Sequence, residues 1–174
     1  LKANPFIDLC SHGEGEQVFL QILENSLSRD WTDVPSASFL DADGTFVTHL
    51  KVARIQNIDT VPSPYLDGTF EALIRANPDE QWLVLWETNR GCPFSCTFCD
   101  WGSATASKVY RFDPERLYKE IDWFADQHIE FIFCCDANFG ILPRDIEIAN
   151  YAAQAKEGKG YPQALSVQNT KNAT

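Results

Sequence analysis

Apolar and polar residues alternate along this chain in two different rhythms, and the change falls near residue 81. The first rhythm is short and interrupted. Phe6-Ile-Asp-Leu-Cys10 reads as a brief strand, and after Gly13-Glu-Gly-Glu16 the residues Val18, Phe19, Ile22, Leu23 and Leu27 recur every three or four positions. That repeat predicts one apolar face of a helix, and acidic residues in its first turn suit the positive end of the helix dipole. A strand, a glycine turn and a helix in this order match the tail of a Rossmann-like domain, although Gly-x-Gly alone more often marks a plain turn than a nucleotide site. Residues 28–80 lose the regularity. Phe39-Leu-Asp-Ala-Asp-Gly-Thr-Phe-Val47 carries the Asp-Gly signal of a tight hairpin. Its Asp41-x-Asp43-Gly lacks the further ligands and closing Glu of a calcium loop. Pro62-Ser-Pro-Tyr65 is an extended connector, since each proline fixes its own φ and turns its predecessor away from helix.

From residue 81 the second rhythm is regular. Gln81-Trp-Leu-Val-Leu-Trp86 predicts an apolar strand, and Asp113-Pro-Glu opens a helix with a capping residue and proline at its first position. Leu117, Ile121 and Phe124 form the buried face of that helix. Glu130-Phe-Ile-Phe-Cys-Cys135 predicts the next strand, apolar throughout as when both faces are covered. Pro143-Arg-Asp opens a second helix running through Ile146, Ala149, Ala152 and Ala155, and Ala164-Leu-Ser-Val167 predicts a third strand. Strands and helices alternating at this length predict parallel βα units with right-handed crossovers. Three strands are too few to close a barrel of roughly 250 residues. The predicted fold class is therefore α/β, the N-terminal part of a partial (β/α) barrel preceded by the tail of a Rossmann-like domain. The expected divisions are 1–30 for that tail, 31–80 for an interdomain linker and 81–174 for the first βα units.

Composition narrows the function. The chain has 174 residues, 44% of them hydrophobic and 13% aromatic, enough to build a core. A formal net charge of -11 argues against nucleic acid, whose binders carry a basic face. No apolar run approaches the roughly 18 residues of a membrane span, and the default location is cytoplasmic. With no Met and an opening of Leu1-Lys-Ala-Asn-Pro-Phe6, the sequence reads as a piece of a longer protein. Its six Cys are too sparse for a disulfide scaffold. They fall as one at 10, three at 92–99 and a pair at 134–135, a grouping that favours metal binding.

The triplet lies in Arg90-Gly-Cys-Pro-Phe-Ser-Cys-Thr-Phe-Cys-Asp100, a CxxxCxxC run just after the first strand of the regular part. Three thiolates are the wrong number for a structural zinc site, which closes with four ligands, and a 4Fe–4S cluster also normally takes four Cys. Held by Cys92, Cys96 and Cys99 alone, such a cluster leaves one iron open to a substrate or cosubstrate. Zinc binding and inert thiols are the competing readings, as is a non-catalytic iron–sulfur electron carrier.

Strand, Cys92-Pro-Phe-Ser-Cys96-Thr-Phe98-Cys99 and βα series together resemble the N-terminal part of a radical SAM enzyme. The resemblance covers roughly residues 81–174. It implies a 4Fe–4S cluster on the three Cys, S-adenosylmethionine chelated to the free iron through its amino and carboxylate groups, and reductive cleavage to a 5′-deoxyadenosyl radical. It also implies a flavodoxin, ferredoxin or reductase as electron donor and a small-molecule or peptide substrate. Asn4-Pro-Phe-Ile-Asp-Leu-Cys-Ser-His-Gly-Glu-Gly-Glu-Gln-Val-Phe-Leu20 and Ile58-Asp-Thr-Val-Pro-Ser-Pro-Tyr-Leu66 resemble the junction between a cobalamin-binding domain and the radical SAM core. Cobalamin and methyl transfer, or other radical C–H chemistry, follow from that narrower likeness. A methylthiotransferase without cobalamin is the alternative, but such enzymes carry a second Cys triplet and residues 1–80 show only Cys10.

Through the same resemblance Phe98 matches the aromatic position that packs on adenine. Asp136 and Asn138 fall in the loop where the family carries a Gly-Gly-Glu type segment that receives the methionyl amino group. This chain departs from that segment, and Asp136 is the candidate substitute, since a carboxylate accepts from an ammonium as Glu does; capping of the turn is the competing role. Arg90 is a candidate partner of the loop, Trp101 a candidate shield of the cluster, and Gln168, Asn169 and Thr170 candidate contacts to ribose or substrate. Cys134 and Cys135 point to opposite faces of their strand and read as packing residues. Asn172-Ala-Thr174 matches a glycosylation sequon that a reducing cytoplasm leaves unused.

Overall fold

The computed structural model describes residues 1–99 and 108–170. The chain divides after Gln56 into two compact units. In the first, β1 (Leu9–Ser11), α1 (Glu16–Glu24), β2 (Ala37–Leu40) and β3 (Phe46–Thr48) form an antiparallel sheet in the order β1-β2-β3 with one helix. Phe39 stands opposite both Leu9 and Val47. The Asp-Gly hairpin forms as predicted: the Asp41 carboxylate accepts from the amides of Asp43 and Thr45, and Gly44 takes a positive φ of 76°. Asp41 is thus committed to holding its own turn. Leu9, Ile22 and Val47 pack against a core of Val18, Trp31, Val34, Ala37 and Phe39. A three-stranded sheet covers only a narrow stripe of α1, so Phe19 and Leu23 are exposed and Leu27 lies beyond the helix end in solvent. The residues expected to serve as linker contribute β2 and β3 to this unit, and those from Asn57 onward belong to the other.

The second unit is built on β4 (Leu83–Trp86), β7 (Phe131–Cys134) and β8 (Ala164–Ser166), all parallel in the order β4-β7-β8. A short helix α2 (Glu71–Ala76) precedes them, and β5 (Asn89–Arg90) pairs antiparallel with β6 (Tyr110–Arg111). The crossovers are α3 (Pro114–Asp126) and α4 (Arg144–Lys159). Asp113 caps α3 by accepting from the Glu115 amide at 2.8 Å, and Leu117, Ile121 and Phe124 are fully buried as the apolar repeat predicts. Each such side chain contributes about 1.5–3 kcal/mol. Trp86 meets Phe124 edge-on at 5.9 Å and donates its indole N–H to the buried Glu120, whose other oxygen accepts from Arg116.

Two expectations are corrected. The strand predicted to be covered on both faces is fully covered on one: Ile132 and Cys134 are buried while Phe131 and Phe133 are half-exposed, and in β4 Leu83 and Leu85 alternate outward. α4 keeps Ala152 of the expected repeat buried but adds Asp145 and Ile148 to it, while Ile146 is 68% exposed. A carboxylate outranks an isoleucine there because Asp145 accepts from the amides of Gly140 and Leu142 and so closes the turn that enters the helix. No helix among the described residues is long and apolar enough to cross a membrane.

Candidate metal centre at the ends of the parallel strands

β4 and β7 are neighbours with Trp86 opposite Cys134, so the residues two places beyond each, Thr88 and Asp136, arrive side by side at the carboxyl end of the sheet. Both are buried. One Asp136 oxygen accepts from the amides of Thr88 (2.7 Å) and Asn89 (3.1 Å). The other accepts from the Thr88 hydroxyl and from Asn89 Nδ2 at 2.7 Å. Burial raises the pKa of this carboxyl, opposed by the Thr88 hydroxyl, the amides of Asn89 and Thr88, and the Cys134 thiol. Arg144, at the start of α4, donates to the carbonyls of Thr88 and Phe112 (2.7 and 2.8 Å) and so ties together the chain on both sides of the Cys loop.

That loop leaves and returns through the β5–β6 pair, Asn89 opposite Arg111 and Arg90 opposite Tyr110. Gly91 sits where the two arms come closest. Its φ is 128°, and a Cβ there would lie 2.3 Å from the Lys108 carbonyl oxygen, so only glycine fits. Arg90 grips Glu87 through two hydrogen bonds of 2.9 and 2.7 Å. Beyond the clasp Cys92 is buried, Cys96 and Cys99 are half-buried, and the Cys99 amide bonds the Cys96 carbonyl at 3.1 Å. All three thiols are free. Among the described residues no three His, Cys, Asp or Glu side chains are grouped to hold a metal ion.

Asn138 approaches the loop from the turn after β7. It is 1% exposed and places its Nδ2 at 3.1 Å from Cys92 Sγ, while its Oδ1 is buried with no hydrogen-bond partner among the described residues. Sequence reasoning selected Asn138 for a different contact; the thiol partner depends on strand register and leaves no trace in local sequence. Phe98 is 82% exposed on the loop. Cys134 is buried and Cys135 exposed, on opposite faces as expected, and burial pushes the Cys134 thiol well up. Gln168 and Thr170 extend the β7–β8 alignment, each making a backbone hydrogen bond to Phe139, and Asn169 bridges to the same residue. Trp101 and the Asn172-Ala-Thr174 sequon lie outside the described residues.

Over 174 residues the chain is 44% identical to the cobalamin-dependent radical SAM methyltransferase TokK of Streptomyces tokunonensis, a match covering 98% of the chain and 25% of that protein. It is 45% identical over 175 residues to the 2-(S-pantetheinyl)-carbapenam-3-carboxylate methyltransferase of Streptantibioticus cattleyicolor, with the same coverage of 98% and 25%. The chain belongs to the cobalamin-dependent radical SAM family. It spans about a quarter of the length of these two curated relatives. A solved structure of the radical enzyme OxsB, with aqua-cobalamin and S-adenosylmethionine bound, superimposes with a TM-score of 0.58 at 21% identity, covering 91% of this chain and 22% of OxsB. At that identity the superposition speaks for the fold, which radical SAM family members and this α/β chain share. No family model matches the chain.

Proposed function

We propose that this chain forms the cluster-bearing part of a cobalamin-dependent radical SAM enzyme, with Cys92, Cys96 and Cys99 as the protein ligands of a 4Fe–4S cluster. The observation that carries the reading is a loop of three free thiols at the carboxyl end of a parallel strand, in a chain aligned along 98% of its length with radical SAM methyltransferases. The donor set fits the group: thiolates suit iron–sulfur ligation, and a buried amide N–H already faces the first sulfur. When bound, the cluster and cobalamin supply one-electron cleavage of S-adenosylmethionine to a 5′-deoxyadenosyl radical and a carrier for methyl transfer.

The residues of this chain serve that chemistry by position. Gly91 and the β5–β6 pair fix where the thiols emerge. Asn138 Oδ1, buried and lacking a donor among the described residues, is the acceptor we assign to the methionyl ammonium of S-adenosylmethionine. Asp136 lies in the same turn, but Thr88 and Asn89 occupy both its oxygens; we assign it to locking the two strand ends together. Phe98 keeps its proposed place against adenine, as an exposed ring on the cluster loop. A flavodoxin or ferredoxin is the proposed electron donor, and the carbapenam named for one relative makes a small molecule the proposed substrate class.

Anaerobic reconstitution of the full-length protein tests this. The reduced cluster is expected to give an electron paramagnetic resonance signal that shifts on adding S-adenosylmethionine, with 5′-deoxyadenosine formed on turnover. Cys92→Ala, Cys96→Ala and Cys99→Ala are each expected to abolish both. An unshifted signal, or a cluster retained at full iron content in all three variants, would reject the assignment.

A further inference from the structure

The geometry points to Asn138 as a positioning residue that sets the reduction potential of the cluster by donating an amide hydrogen bond to the Cys92 sulfur. This rests on the cluster assignment above and adds a role that the thiol spacing does not contain. The contact is Nδ2 to Sγ at 3.1 Å, between two side chains that are 1% and 7% exposed.

The amide orientation follows from chemistry. A sulfur bound to iron as thiolate carries no hydrogen, so it only accepts, and of the two ends of the carboxamide only the nitrogen donates. Nδ2 therefore faces the sulfur and Oδ1 faces away, which agrees with the buried oxygen having no donor among the described residues. The contact is not a product of flexible approach. The turn carrying Asn138 is fixed on one side by Asp136 beneath Thr88 and Asn89, and on the other by backbone hydrogen bonds from the Phe139 amide to Gln168 and from the Thr170 amide to the Phe139 carbonyl. Away from water, such a bond has a stronger electrostatic effect than at the surface.

The sign is set by charge. Reduction adds an electron that spreads onto the thiolate sulfurs, and a donor aimed at one of them stabilises the reduced state more than the oxidised. Hydrogen bonds to cluster sulfurs are an established lever on potential. Among the three ligands, the sulfur that receives this bond is the buried one. Removing the donor should therefore make the cluster harder to reduce.

The test is a redox titration of reconstituted full-length protein, wild type against Asn138→Leu and Asn138→Asp, at matched iron content. Asn138→Leu is expected to shift the reduction equilibrium about tenfold toward the oxidised state, about 59 mV more negative for one electron. Asn138→Asp should shift it further, because a carboxylate replaces a donor beside the sulfur. Wild type grown with ¹⁵N-asparagine supplies a measurement that needs no variant: the reduced cluster should show hyperfine coupling to a side-chain amide nitrogen. Potentials unchanged in both variants, or no asparagine nitrogen coupling in the wild type, would overturn the role of Asn138 while leaving the cluster in place. A wild-type protein that takes up no iron would overturn both readings.

Discussion

The antiparallel unit of residues 1–56 and the parallel unit after Asn57 bury polar groups to different ends. In the first, Ser38 is sealed in the middle strand, donating to Thr48 at 2.8 Å and contacting His12 Nε2 at 2.6 Å. The hydroxyls and the imidazole satisfy one another, and the apolar cluster around Val18 and Phe39 surrounds a closed system. In the second unit, Thr88, Asn89, Asp136, Asn138 and Asp145 gather where the strands end; among the described residues the Oδ1 atoms of Asn89 and Asn138 are buried without a hydrogen-bond partner, while Asp145 Oδ1 faces the Arg144 guanidinium at 3.9 Å. A buried acceptor without a donor costs about 1–3 kcal/mol. The Ser38 hydroxyl, satisfied by Thr48 and His12, holds a sheet, whereas the Asn138 oxygen at the strand ends bears that cost and is held ready for something else.

Substitutions can break this contrast. The largest expected effect is on the apolar base of the parallel unit: Phe124→Ala, at a fully buried ring meeting Trp86 and Tyr65, should cost about 3–5 kcal/mol in urea unfolding. It should also lower iron uptake, since the strands that carry the site lose their support. Gly91→Ala comes next, at about 3 kcal/mol from a positive φ and a clash with backbone, with the added signature that the cluster signal broadens or disappears.

Asp136→Asn should cost about 2–3 kcal/mol, because its amide nitrogen would face donors. The same variant carries a pH signature. Burial holds the proton on Asp136 more tightly in the folded state than the ordinary value of 3.8. Stability from this group is therefore present below 3.8 and is lost as pH rises through the elevated folded value. Asp136→Asn should remove that slope from the difference between the two unfolding curves. The smallest effect belongs to the closed system: Ser38→Ala should cost about 1 kcal/mol and leave iron content and cluster signal unchanged. A cluster defect in Ser38→Ala would erase the distinction between the units.

How much of this could be read from residues alone divides along similar lines. Apolar periodicity and the Asp113-Pro cap disclosed α3 and its buried face, because those signals are local and hydrophobic burial decides them. The Asp-Gly turn disclosed the β2–β3 hairpin for the same reason. Part of the face of α4 escaped, because Asp145 is drawn inward by two amides of the preceding turn and no hydropathy pattern reports that. Asp136 was visible as a carboxylate after a strand. That two amides and two side chains from the neighbouring strand end already surround it depends on register, which sequence periodicity does not specify. Asn138 was picked for its loop, and its sulfur partner emerged only from the meeting of two loops distant in sequence.

The pairing of Asn89–Arg90 with Tyr110–Arg111 has one more consequence. Because the two ends of the thiol-bearing stretch are stitched to each other, its length is uncoupled from the register of the sheet below. Doubling the span between such anchors adds only about 0.6 kcal/mol of closure entropy. Changes of length between these anchors are thus thermodynamically cheap, and the scaffold beneath them stays as it is.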